Sequence, residues 1–191
     1  MRVIAGTLGG RRLTAVPGRA TRPTADRVRE ALFSRLQSRY HLSGISVLDL
    51  FAGTGALGIE ALSRGATRLV SVESNRSAAR VLIANLQALS VEGRAEVMVR
   101  DVAAAIASLG RRENVFEGVF LDPPYGLGFA GRALEALAGN AIVAEGGWVS
   151  VETAAEEELP QAVGTLRRVR EDVYGDTKLA LYERVGVEED G

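Results

Sequence analysis

From residue 45 onward, short apolar runs alternate with apolar stripes at helical spacing. Ile45, Val47, Leu48 and Leu50 form a run bounded by glycines, the pattern of a strand buried on both faces in a parallel sheet. Gly53-Thr54-Gly55 then turns the chain, and residues 56–62 open a helix whose free amides face the turn. Residues 68–73 repeat the apolar strand, and 75–89 carry Ala78, Val81, Leu82, Asn85, Leu86 and Leu89 at helical spacing. The same alternation predicts strands at 95–99, 115–121 and 142–151, with helices at 102–109 and 130–137. Residues 166–174 and 179–185 read as two strands joined across Gly175-Asp176, a hairpin that adds an antiparallel pair. Strands and helices in alternation imply an α/β architecture with a mostly parallel sheet.

The first forty residues read differently. Residues 1–6 and 12–16 are β-prone and joined across Gly9-Gly10, which predicts a small hairpin ended by Pro17-Gly18. Proline biases Arg22 away from helix, so Thr24 is expected to cap a helix from Ala25 to about Leu36, packing Val28, Ala31, Leu32 and Leu36 with Phe33 beside them. The expected organisation is a basic extension over 1–40, a main domain over 41–185 and a disordered tail over 186–191.

Composition narrows the chemistry. With no cysteine, and with His41 as the only histidine, neither a disulfide framework nor a metal centre is expected. No apolar run reaches ~18 residues and no signal-peptide pattern opens the chain, so a cytoplasmic protein away from membranes is expected. Net charge is only -1, yet residues 1–40 hold nine arginines against Asp26 and Glu30, a balance of +7 that leaves about -8 for the rest. Arginine segregated at one end suits a polyanion. Arg22, Arg27, Arg29 and Arg35 are expected on the outer side of the helix; capping and an ion pair with Glu30 are the competing structural use.

Carboxylates recur at strand ends: Asp49, Glu73, Asp101 and Asp122. That end of an open α/β sheet is where ligands bind, and a carboxylate there is costly to bury without hydrogen bonds. Gly53-x-Gly55-x-x-Gly58 with Glu73 twenty residues after Gly53 satisfies the dinucleotide spacing, so a nicotinamide or flavin protein stays open on that signal. Asp122-Pro123-Pro124-Tyr125 is the sharper motif. Two prolines fix a rigid turn that leaves the Asp122 and Pro123 carbonyls available as acceptors, and an aromatic ring follows. This suits a flat heterocycle with an exocyclic amine: acceptors hold the amine hydrogens while Tyr125 stacks on the ring.

Val47 to Gly55 followed by Glu73, Asp101 and Asp122-Pro123-Pro124-Tyr125 resembles the class I S-adenosylmethionine-dependent methyltransferases that methylate amines. Gly9-Gly10-Arg11-Arg12-Leu13, Thr21-Arg22-Pro23-Thr24, Asp26 to Phe33, and Tyr174-Gly175-Asp176-Thr177 are similar to the RsmD family within that class, over nearly the whole chain. The resemblance implies a Rossmann-like fold with a seven-stranded sheet, helices on both faces and an antiparallel C-terminal hairpin. It implies methylation of the exocyclic N2 of one guanine in 16S rRNA, within a 30S subunit or an assembly intermediate. Asp49, Ala52, Gly53 and Gly55 would hold the methionine moiety of S-adenosylmethionine, Glu73 the ribose, and Asp101 with Val102 the adenine. Asp122, Pro123, Pro124 and Tyr125 would bind the guanine, and Arg11, Arg12, Arg22, Arg27 and Arg29 the RNA phosphates. An adenine-N6 methylase, which uses the same kind of acidic Pro-Pro-aromatic turn, remains open.

Overall fold

The apolar runs become strands and the stripes become helices in the computed structural model, which describes residues 1–15 and 23–186. They fall into two units, the first ending at Asp101 and the second beginning at Val102. The Pro17-Gly18 turn, Arg22 and the tail beyond Gly186 lie outside the described residues.

In the first unit, helix α1 spans Pro23–Arg39, longer at both ends than expected. Proline is at home in a first helical turn because its missing N–H would have no intrahelical partner there. Thr24 is therefore inside the helix rather than its cap. Strands β1 (Ser46–Leu50), β2 (Arg68–Val72) and β3 (Ala95–Met98) are parallel, with β2 between the other two. Helices α2 (Ala56–Ser63) and α3 (Arg76–Ala88) form the crossovers. The extension pairs residue 2 with residue 12 in a single antiparallel bridge, so the hairpin is shorter than expected.

The second unit holds α4 (Val102–Arg111), β4 (Phe116–Leu121), α5 (Phe129–Asn140) and β5 (Val143–Ala154). Strand β5 runs parallel to β4 and antiparallel to β8 (Thr177–Arg184), which pairs with β7 (Leu166–Tyr174) in the expected hairpin. A two-residue strand β6, Ala162–Val163, adds to β7. The described residues thus hold eight strands rather than seven, the extra one being too short to leave a periodic signal. Trp148 on β5 packs its ring edge-on to Phe120, 5.1 Å between centroids, and covers Gly118, where a Cβ would sit 2.3 Å from the indole. Only glycine admits that approach.

A buried acid fastens the extension to the first unit. Helix α2 is apolar nearly all round and buries Glu60 completely. Its carboxylate accepts the amides of Ile4 at 2.7 Å and Ala5 at 3.0 Å, and pairs with Arg64 Nε at 2.8 Å. Ser63 continues the seam, donating to the Ala5 carbonyl and accepting the Leu8 amide at 2.9 Å. Arg64 in turn lies 4.9 Å over the buried ring of Phe33 on α1.

Removing one partner of a buried pair leaves the other uncompensated and costs about 3–5 kcal/mol. Glu60→Ala is expected to lose ~3 kcal/mol or more in urea unfolding, whereas Glu60→Gln, which retains an acceptor, loses less; equal stability of Glu60→Ala and wild type would show that the seam carries no load.

Candidate functional site

In the first unit the site is built where β1 gives way to the glycine turn. Asp49 is the fourth residue of β1 and is 1% exposed. Its Oδ2 accepts the Gly58 amide at 3.0 Å, while Oδ1 is buried without a hydrogen-bond partner. Burial pushes the carboxyl up from 3.8 to about 7; the Gly58 amide opposes this and the nearby Glu73 carboxylate adds to it. A carboxylate held at one oxygen and open at the other suits a ligand that brings positive charge or N–H donors.

The glycines have separate tasks. Gly58 lets α2 approach: a Cβ there would sit 2.6 Å from Leu69 Cδ1 and 3.0 Å from Asp49 Oδ2. Gly53 and Gly55 adopt φ of 56° and 81°, and a Cβ on Gly55 would fall 2.2 Å from Leu82 Cδ1. Phe51, at φ 60°, takes the left-handed conformation without being glycine, local strain of the kind retained where a loop must be held in shape. The Ala52 amide is occupied by the Val72 carbonyl at 3.0 Å.

Glu73 lies just beyond β2 and is 9% exposed. It accepts the Gly53 amide at 2.8 Å and the Asn75 amide at 2.7 Å, one on each oxygen. Since a carboxylate offers roughly four acceptor positions, capacity remains for hydroxyl donors. Asn85 on α3 holds the turn from behind: its amide donates to the Thr54 carbonyl at 3.0 Å and exchanges two bonds with the backbone of Thr14. Its helical spacing reads as packing, and nothing in the sequence signals this bridge. Asp101 is exposed, and Val102 is buried in the first turn of α4.

In the second unit, Asp122 is exposed at the end of β4, Pro123 is buried and Pro124 is exposed. Tyr125 is 42% exposed, and its hydroxyl donates to Glu152 Oε1 on β5 at 2.7 Å. Burial raises the phenol pKa above its ordinary value, and the Glu152 carboxylate reinforces the shift.

Of the arginines, Arg11, Arg12 and Arg27 are exposed, and Arg22 is outside the described residues. Arg29 is a correction: it is 5% exposed and faces inward. Its guanidinium pairs with Asp26 at 3.1 Å and donates to the Arg2 carbonyl, and burial lowers its pKa against the pull of Asp26. Spacing explains this, because Arg29 shares a helix face with Phe33 and Leu36, both fully buried.

Comparison with known proteins places the chain. Residues 1–183 match the family model described as conserved hypothetical protein 95. YlbH of Bacillus subtilis (strain 168) is 39% identical over 97% of this chain and 100% of its own length. Ribosomal RNA small subunit methyltransferase D of Escherichia coli (strain K12) is 36% identical over 96% of this chain and 90% of its own. The solved structure of yhhF from Escherichia coli superposes with a TM-score of 0.85 at 34% identity, covering 97% of this chain and 98% of that one. The Rossmann-like architecture is therefore shared over nearly all of the chain.

The burial of Asp49 sets a pH dependence. The folded carboxyl titrates at about 7 against 3.8 ordinarily, so the ligand-free protein binds a proton that the unfolded chain has released. Between those values stability falls as pH rises, by up to ~4 kcal/mol once the charge is fully formed. Asp49→Asn removes the charge; its melting temperature relative to wild type is expected to rise from pH 5 to pH 8, and a difference that does not change with pH would refute the buried ionised state.

Proposed function

The chain belongs to the conserved hypothetical protein 95 family, the RsmD family, and on that premise we propose that it methylates the exocyclic N2 of one guanine in 16S rRNA, using S-adenosylmethionine. It is an rRNA methyltransferase; its substrate is rRNA, taken within a 30S subunit or an assembly intermediate, and its place of work is the cytoplasm. The observation that carries the cofactor is the open oxygen of Asp49 behind the glycine turn. A buried carboxylate lacking one partner fits the ammonium of an amino acid moiety, which compensates the charge that folding left exposed to low dielectric. Gly53 and Gly55 hold the turn in its left-handed conformation, Glu73 retains acceptor capacity for ribose hydroxyls, and Asp101 with Val102 would meet the adenine edge. When bound, S-adenosylmethionine supplies an electrophilic methyl group on a sulfonium.

The chain's own part is to present the nucleophile. The amine of guanine is a poor nucleophile because its lone pair is delocalised into the ring. Acceptance of its hydrogens by the Asp122 carboxylate and the Pro123 carbonyl favours a more tetrahedral nitrogen and aims the lone pair. Tyr125 holds the base plane by stacking, and Pro124 keeps the turn rigid. As the new N–C bond forms, the methyl–sulfur bond would break and a neutral thioether, S-adenosylhomocysteine, would leave; Asp122 stabilises the positive charge that develops on nitrogen, and one of the two amine protons passes to solvent. The base must leave its stack first, at a cost that is least in a loop or a pre-shaped particle. Arg11, Arg12 and Arg27, with Arg22, supply the phosphate contacts.

Asp122→Ala and Tyr125→Ala are each expected to cut methyl transfer to small-subunit RNA by ~100-fold or more, while calorimetry finds the S-adenosylhomocysteine affinity nearly unchanged. Mass spectrometry of the product nucleosides should find N2-methylguanosine; N6-methyladenosine would move the target to adenine, and unmodified RNA would overturn the proposal. Replacing Arg12 and Arg27 together by alanine should weaken RNA binding and flatten its salt dependence by about 1–2 in log–log slope. An unchanged slope would remove those arginines from the interface.

A further inference from the structure

The stretch Tyr174-Gly175-Asp176-Thr177 has no part in the reaction as derived so far. It forms the turn between β7 and β8, and Thr177 opens β8 opposite Ala154 of β5. This register sets Glu152, Thr177 and the single lysine, Lys178, around the residues that follow β4. Glu152 Oε1 accepts the Tyr125 hydroxyl at 2.7 Å, and Thr177 Oγ1 lies 3.4 Å from the same hydroxyl. One residue on, the Gly126 amide donates to Glu157 Oε2 at 3.2 Å, and Lys178 Nζ holds the Glu157 carbonyl at 2.9 Å. Four residues from β5, the loop after it and β8 thus tie down two consecutive residues of the corner.

The tie is unusual for what it restrains. Tyr125 is 42% exposed, and Leu127, two residues on, is 59% exposed. Fixing a half-exposed ring removes rotamer freedom without the compensation of full burial. A tyrosine ring turns about two torsions, and a hydrogen bond at its far end fixes both. The hydroxyl is thereby occupied and the face of the ring is what remains to offer a ligand.

We propose that Glu152 is a positioning residue for the target base: by accepting the Tyr125 hydroxyl, with Thr177 beside it, it holds the ring in the plane on which the base stacks. This rests on the proposed function for its consequence, since it makes stacking, not hydrogen bonding through the hydroxyl, the contribution of Tyr125. Burial raises the Glu152 carboxyl above its ordinary value, and the bond from Tyr125 opposes that shift, so the pair is mutually dependent. The role assigned to Glu152 and Thr177 runs through the Tyr125 hydroxyl, which both of them meet.

The test compares Glu152→Ala, Glu152→Gln, Tyr125→Phe and the Glu152→Ala/Tyr125→Phe double variant. Under single-turnover conditions on small-subunit RNA, Glu152→Ala and Tyr125→Phe should each slow transfer by on the order of tenfold. The double variant should be no slower than the slower single, Glu152→Gln, which keeps an acceptor, should recover most of the rate, and S-adenosylhomocysteine affinity should not move. A second readout needs no RNA: in a tyrosine-labelled protein, with four tyrosines and Tyr125 assigned from Tyr125→Phe, the Tyr125 ring resonances should shift or broaden in Glu152→Ala and be retained in Glu152→Gln. Unchanged ring resonances in Glu152→Ala overturn the anchoring. Wild-type transfer rates despite shifted resonances, or rate losses that multiply in the double variant, overturn the positioning role. A wild-type protein that methylates no RNA fails the proposed function instead, and the ring resonances still decide whether Glu152 anchors Tyr125.

Discussion

The first unit is organised around a carboxylate that folding leaves half-satisfied. Asp49 must stand at the end of a fully buried strand for its Oδ2 to meet the Gly58 amide, and this requires α2 to come closer than any side chain at position 58 would permit. The glycine spacing is thus less a tag for one ligand than a packing consequence: one glycine admits the helix, and two shape the turn. Dinucleotide proteins and methyltransferases share the spacing for that reason. The partner of the second Asp49 oxygen, not the glycines, carries the chemical information, because an unpaired buried oxygen is what a ligand can complete.

In Glu60 and Asn85, buried in the same unit, every polar side-chain atom has a partner, and the contrast is instructive. Glu60 takes two backbone amides and an arginine. Asn85 donates to two carbonyls and accepts one amide. Each stitches the extension to the α/β framework, and Asn85 adds the Thr54 carbonyl of the glycine turn to the stitch. Groups whose polar atoms all have partners stabilise one arrangement; Asp49 keeps an acceptor in reserve beside the glycine turn. Burial alone does not separate these cases, whereas the count of satisfied atoms does.

That distinction decides what the sequence can tell. Asp49, Glu73 and the strand-to-turn geometry were legible because an acid ending an apolar run is a local anomaly, visible without knowing what packs on it. The Asp122 corner was legible for a similar reason, since two prolines exclude a continued ladder. Glu152 was not, because nothing periodic joins residues 125, 152 and 177; only the β5–β8 register brings them together. Glu60 is the one acid in an otherwise apolar helix, yet it passed unremarked because its partners, the amides of residues 4 and 5, belong to a segment without regular structure. Arg29 was misplaced by charge reasoning that outweighed helical periodicity, although its i+4 and i+7 neighbours are core residues.

The correction at Arg29 alters how the basic extension works. A guanidinium turned inward is withdrawn from the surface, but its bond to the Arg2 carbonyl fastens α1 to the first residues of the chain, and Asp26 on the same helix pairs with it. Arg11 is held in a comparable way, donating to the Ala88 carbonyl at 3.1 Å at the end of α3, where the helix dipole favours a cation. Arg12 and Arg27 therefore sit exposed on a framework that Arg29 braces, with Arg11 exposed and tethered at once. Ordering long side chains on a mobile arm would cost conformational entropy at the moment of RNA binding; here part of that ordering is completed on folding. Composition could register the cluster of positive charge, while the division into guanidinium groups that brace the fold and those left to solvent follows only from which of them find carbonyls inside the fold.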